Sequence, residues 1–218
     1  LTMAAMSVGM ALHGGVIPVC ATFFAFSDYM KPAIRVCALM EQPVIFLWTH
    51  DAFRVGEDGP MHQPIEQEAQ LRLMEKLHNH SHRSSFLAIR PADFNESTVA
   101  WKMCLENRNT PSGLILSRQG IPNLPNSSYE LALQAEKGGY VVQDCVDRPD
   151  IILIANGSEV STLVAGSVVL EEEKGLKVRI VSVPSEGKFR SQSKDYQKSV
   201  LPAGVPKFGL TAGLPVNL

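Results

Sequence analysis

A parallel α/β sheet flanked by helices, followed by a second, truncated α/β block, is the architecture this sequence predicts. Three observations carry it. Short apolar runs alternate along the chain with stretches of helical period. The runs are apolar throughout rather than at every second residue, as strands covered on both faces require. The alternation lapses once, across residues 118–138, and then resumes, which marks two domains, 1–135 and 136–218.

The elements follow in order. The opening "LTMAAMSVGMALHGG" has small residues at helical spacing. It lacks a basic flank, is too short to span a bilayer and matches a signal peptide poorly. It begins inside a helix without a cap, and the far end, "KFGLTAGLPVNL", stops just after a strand-like run. The chain therefore reads as a piece of a longer one. "VIPVCAT" (16–22), "PVIFLWT" (43–49), "SFLAIR" (85–90) and "SGLILS" (112–117) read as buried strands. Residues 28–41, 66–78 and 93–107 between them have helical period. In the last, Pro91, Ala92 and Asp93 open the helix, and Val99, Ala100, Met103 and Cys104 share one face. Residues 118–138, rich in Pro, Asn, Ser and Gly, read as a linker. Strands at 140–145, 150–156 and 177–183 follow, with a helix over 157–175 whose expected N-cap is Ser158 and whose stop is Gly175.

The chain has 218 residues, 45% of them hydrophobic, and a net charge of −2, so it can bury a sizeable core. That balance supplies no basic footprint for nucleic acid or a membrane surface. The four widely spaced cysteines match no metal pattern. Cys20 and Cys37 sit in apolar runs as buried reduced thiols, which points to a cytoplasmic protein.

Ligands of open α/β sheets bind at the carboxyl ends of strands. Three predicted strand exits carry functional groups there: "FFAFSDY" (23–29), "THDAFRVGEDGPMHQPIE" (49–66) and Arg118. One polar loop is no more than a wet loop; three converging ones favour a site. On composition alone Phe23, Phe24 and Phe26 read better as core, whereas Tyr29 adds a stacking surface with a polar tip. His50 fits a structural histidine as well as a functional one. Gly56 and Gly59 permit tight turns around Glu57 and Asp58, and Pro60 and Pro64 frame His62 rigidly. Arg118 suits a phosphate clamp, although a lone arginine reads equally as a surface ion-pair partner. The alternating His78, His80 and His82 lack an acidic or cysteine partner and read as a solvated joint. "GSEVSTLVAG" mimics a phosphate-binding turn without its glycine pattern or lysine.

With these words in view, the sequence resembles the transketolase family through almost its whole length. "THDAFRVGEDGPMHQPIE" is similar to that family's long THD and GEDGP-x-HQP signature, and "FFAFSDY" to its F-x-x-F-x-x-Y pocket. "RPAD" (90–93), "LSRQ" (116–119), "GGYVVQD" (138–144) and "ILIANGSEVS" (152–161) fit as well. Deoxyxylulose phosphate synthase and the pyruvate dehydrogenase β chain have shorter histidine loops and no "LSRQ". The resemblance implies a pyrimidine-binding domain followed by the start of a C-terminal domain. It also implies thiamine diphosphate and Mg2+ as cofactors, sugar phosphates as substrates, and a cytoplasmic homodimer that shares each site between subunits. The reaction it implies is transfer of a two-carbon ketol unit from a ketose phosphate to an aldose phosphate in the pentose phosphate pathway.

By residue, the resemblance points to Phe23, Phe26 and Tyr29 around the cofactor ring and to His62 for cofactor contact and proton transfer. It points to Asp58 for a donor hydroxyl, and to His50 and Arg118 for the sugar phosphate. The departures are equally specific. The family's catalytic glutamate would precede Leu1, the Mg2+ and diphosphate ligands belong to an absent N-terminal domain, and Met61 stands where the signature has Thr. Two readings follow: half of a transketolase active site, inactive by itself, or an α/β binding module with a degenerate site.

Overall fold

The structure, a computed structural model, describes residues 1–51 and 55–215, so positions 52–54 of the histidine stretch and 216–218 at the end lie outside it. Two compact units emerge. The first takes Leu1–Ile89, Ala100–Gly120 and the tail from Gly213; the second takes Arg90–Val99 and Ile121–Ala212.

In the first unit, α1 (Thr2–His13) precedes β1 (Val19–Phe23), a 3-10 segment (Phe24–Met30), α2 (Lys31–Leu39) and β2 (Ile45–Thr49). A 3-10 turn (Pro60–His62), α3 (Gln67–Glu75), β3 (Leu87–Ile89) and β4 (Ser112–Ile115) complete it, together with residues 100–106 of α4 (Phe94–Glu106), the helix that links the last two strands. The four strands are all parallel, in the order β1-β2-β4-β3. Every residue of β3 and β4 is buried, so both faces of these strands are covered, as their unbroken apolar runs require. Gly113 is needed for that packing, because a Cβ there would lie 2.7 Å from both Phe86 and Trp48. The core joins Ala4 and Val8 of α1 to Ile34 and Cys37 of α2 and to Phe46 and Trp48 of β2. Cys20 and Cys37 are buried and unpaired, as the sequence predicts.

In the second unit, α5 (Tyr129–Ala132) and a 3-10 segment fold part of the stretch read as linker, capped by the Ser128 side chain. Then come β5 (Tyr140–Gln143), β6 (Ile151–Ala155), α6 (Glu159–Lys174), β7 (Val178–Ser182), α7 (Glu186–Arg190), α8 (Lys194–Val200) and β8 (Lys207–Gly209). The sheet order is β5-β7-β6-β8, with β5 antiparallel to β7 and the other pairs parallel. Gly175 ends α6 in the left-handed conformation (φ 64°), as expected, and it suits a residue without a Cβ. Ser158, the expected N-cap, has helical backbone angles and its side chain makes no cap bond.

The buried ionisable groups Arg90, Glu159 and Glu96 of this unit have polar partners. Arg90 Nη2 lies 2.6 Å from Glu159 with both side chains inaccessible, and Arg90 Nη1 donates to Asn156 Oδ1 at 2.6 Å. Glu96 accepts from Tyr140 Oη and from the Ala92 amide, each at 2.8 Å. Burial pushes the Glu96 carboxyl up to about 7. Among the described residues, no helix is long and apolar enough to cross a membrane.

Candidate active site

The first unit gathers the functional groups at the carboxyl ends of its strands. Phe23 closes β1, and the chain continues as a 3-10 helix. Such a helix repeats every three residues, so side chains three apart eclipse one another. Phe23, Phe26 and Tyr29 therefore form a row, with ring centroids 6.1 Å apart at each step. Phe24, one place out of phase, turns into the core against Trp48. Phe23 and Phe26 stay half-buried, and Tyr29 is 69% exposed.

The parallel register pairs Phe23 with Thr49 and so brings His50, the next residue, beside the row. The His50 ring lies flat on Phe23, with centroids 3.6 Å apart and planes 19° apart. Its Nδ1 is 2.9 Å from Thr49 Oγ1, and its backbone is left-handed, with φ 64°. His62, at the end of the Pro60–His62 turn, meets the same row edge-on, 5.3 Å from Phe26 and 6.1 Å from Phe23. The two histidines thus bracket the aromatic pair, one on a face and one at the edges. His62 Nδ1 is buried and has no hydrogen-bond partner among the described residues.

Asp58 is exposed on the turn before His62, and Arg118 is exposed beyond β4. The Arg118 guanidinium lies directly against Gly56, where a Cβ would sit 2.6 Å from Nη1. Gly56 also has φ 96°, so two constraints demand glycine there. Burial, then the Arg118 charge, hold the His50 imidazole below the usual histidine range; Asp58 and Asp51 oppose that shift and His62 adds to it. Arg118, Asp58 and His62 therefore each lie within electrostatic reach of His50. Tyr29 is the outlier of the set, at the exposed end of the row.

Sequence reasoning missed the supports. Gln67 accepts from the Ile65 amide at 3.0 Å and donates to Asp28 at 3.0 Å, which ties the histidine loop to the aromatic turn. Asp28 in turn pairs with Lys31. The Thr49 contact was equally unseen; the THD word contains both partners, but spacing says nothing of their bond. His78, His80 and His82 are exposed, and no metal-binding group of three or more His, Cys, Asp or Glu side chains occurs among the described residues.

The arrangement offers an aromatic wall, an unpartnered buried ring nitrogen, an exposed carboxylate and an exposed guanidinium. A planar heterocycle with hydrogen-bonding groups fits the wall and the His62 nitrogen. An anion fits beside Arg118 and His50.

Residues 1–123 match the family described as the transketolase pyrimidine-binding domain, and residues 138–218 match the transketolase-like C-terminal domain. The chain is 47% identical over 203 residues to a transketolase of Halalkalibacterium halodurans, covering 93% of this chain and 29% of that protein. A transketolase structure from Leishmania mexicana superposes with a TM-score of 0.86 at 38% identity, over 97% of this chain and 29% of that one. One from Pichia stipitis, in complex with sedoheptulose 7-phosphate, gives 0.86 at 39% identity over 98% and 30%. The chain thus spans less than a third of the length of these relatives.

Proposed function

The chain belongs to the transketolase family, and from that premise we propose that it supplies half of an active site transferring a two-carbon ketol unit from a ketose phosphate to an aldose phosphate. The observation that carries the proposal is the convergence of Phe23, Phe26, His50, Asp58, His62 and Arg118 on one rim. The cofactor proposed is thiamine diphosphate. When bound, it supplies the carbon nucleophile and the electron sink of the reaction. The row of Phe23, Phe26 and Tyr29 would hold its pyrimidine ring, and His62 would contact it through the nitrogen now lacking a partner and move protons at the reacting centre.

Asp58 would accept a hydrogen bond from a hydroxyl of the donor sugar. Arg118 would fork its planar guanidinium onto the sugar phosphate, with His50 as a second donor. The related Pichia stipitis enzyme, seen with a sugar phosphate, supports this substrate class. Mg2+ and the diphosphate ligands are proposed to lie outside this chain, so the chain alone would not turn over. A homodimer sharing its sites, a cytoplasmic setting and a place in the pentose phosphate pathway complete the proposal. The domain boundary is proposed between residues 135 and 136, with support from family matches that stop at 123 and restart at 138.

The test uses the whole gene product, including the coding sequence on both sides of this chain. With thiamine diphosphate and Mg2+ it should transfer a ketol unit from xylulose 5-phosphate to ribose 5-phosphate, and it should lose that activity when the cofactor is withheld. No transfer under these conditions would sink the proposal.

A further inference from the structure

His50 is held more firmly than a side chain at a strand exit needs to be. Its backbone adopts the left-handed region, which is costly for a residue with a Cβ. Its ring is pinned flat against Phe23 at 3.6 Å, and its Nδ1 meets Thr49 Oγ1 at 2.9 Å. Together these fix the ring's plane and its orientation within that plane.

The Thr49 contact has a further consequence. Thr49 is half-buried at the end of β2, and Nδ1 is the one hydrogen-bond partner of its hydroxyl among the described residues. A hydroxyl carries a single proton. If Nδ1 bore a hydrogen, the ring would donate to Oγ1 and the hydroxyl proton would have no acceptor among the described residues. With the hydroxyl donating to Nδ1, both groups are used, and the proton of the neutral ring sits on Nε2. Burial and the nearby Arg118 charge favour that neutral ring.

We infer that Thr49 is a positioning residue: its hydroxyl donates to His50 Nδ1, fixes the Nε2–H tautomer and so offers an anionic oxygen a second N–H donor alongside Arg118. The inference rests on the proposed phosphate-binding role of His50 and Arg118. The ligand group concerned is a phosphate monoester, whose oxygens accept from both donors. Removing the hydroxyl frees the ring to flip and to swap tautomers, and a lone pair then faces the anion in part of the population.

The experiment compares wild type, Thr49→Val and Thr49→Ser in the whole gene product. Thr49→Val keeps the β-branched shape of a strand residue and removes the hydroxyl; Thr49→Ser keeps the hydroxyl. The readouts are KM and kcat with xylulose 5-phosphate and with unphosphorylated xylulose, and calorimetric affinity for inorganic phosphate. Thr49→Val should raise KM for the phosphorylated donor about tenfold, as for one lost hydrogen bond to a charged group. Affinity for inorganic phosphate should fall in proportion, while kcat and the kinetics of xylulose stay unchanged and Thr49→Ser matches wild type.

Equal losses with both donors, or a Thr49→Ser variant as weak as Thr49→Val, would overturn the inference. So would a Thr49→Val variant indistinguishable from wild type, and in that case the phosphate site itself would stand. Should Thr49→Val not fold, Thr49→Ala takes its place with the same expectations. A wild-type product that binds neither the sugar phosphate nor inorganic phosphate would overturn both the inference and the reading beneath it.

Discussion

The rim of the first unit and the polar interior of the second use the same kinds of side chain for opposite ends. In the second unit Arg90, Glu159, Glu96 and Tyr140 are buried and joined to one another or to backbone. In the first, Asp58 and Arg118 are exposed and, among the described residues, have no ion-pair partner, nor does the buried His62 Nδ1 have a hydrogen-bond partner there. A charge taken out of water needs a partner within the protein. Groups left at a rim, held in place without being satisfied, are available to a ligand. Burial and pairing, rather than residue type, separate scaffold from site.

The comparison breaks if the interior pairs prove dispensable. Replacing Arg90 with Met strands the Glu159 carboxylate in the interior, and denaturant unfolding should show a loss of about 3–5 kcal/mol. A loss below about 1 kcal/mol would show that the pair does not hold the fold.

A smaller effect belongs to Glu96, and its sign follows from burial. The folded carboxyl titrates at about 7 and the unfolded one at 4.5, so the folded state holds the extra proton between those values. The associated stability is complete below about pH 4.5 and is lost as pH rises through 7, by roughly 3 kcal/mol at most. Glu96→Gln, which cannot titrate, should flatten that slope while leaving the rim's ligand affinity alone. Melting temperatures from pH 5 to 8 check this; an unchanged slope would remove Glu96 as its source.

Gly56→Ala sharpens the contrast from the other side. The new methyl meets the Arg118 guanidinium at a backbone angle that L residues resist. It should cost about 1–2 kcal/mol of stability and also raise donor KM, since Arg118 must move; unchanged KM would detach Arg118 from the substrate. The smallest stability change is expected for Arg118→Ala, within about 0.5 kcal/mol, although KM for a phosphorylated donor should rise about tenfold to a hundredfold. If its main effect were on melting temperature, Arg118 would belong with the scaffold.

Much of this division was legible in the sequence, and the limits were physical. Unbroken apolar runs gave away β2, β3 and β4, because a strand buried on both faces has no polar side to blur it. The F-x-x-F-x-x-Y word marked the aromatic row at a strand exit, with helical period expected only from residue 28; the spacing of three belongs to the 3-10 segment Phe24–Met30, which precedes α2. β1 starts at Val19, three residues later than the apolar run suggests, directly after Pro18, which has no amide hydrogen to give a ladder. The antiparallel β5 and the pairing of Arg90 with Glu159 were invisible, since strand direction and distant ion pairs are set by tertiary structure. The rim was the more readable half: its residues lie in short contiguous words, whereas its braces, Gln67 to Asp28 and Thr49 to His50, depend on geometry that spacing does not encode.

The most direct test measures stability and kinetics together in Asp58→Ala of the whole gene product. If the rim is a ligand site and not scaffold, the melting temperature should stay within about 1 °C of wild type. Ketol transfer should then fail through the donor, with KM for xylulose 5-phosphate raised about tenfold and acceptor kinetics unchanged. An equal loss for donor and acceptor, or a fall in melting temperature on the scale of the Arg90 variant, would contradict it.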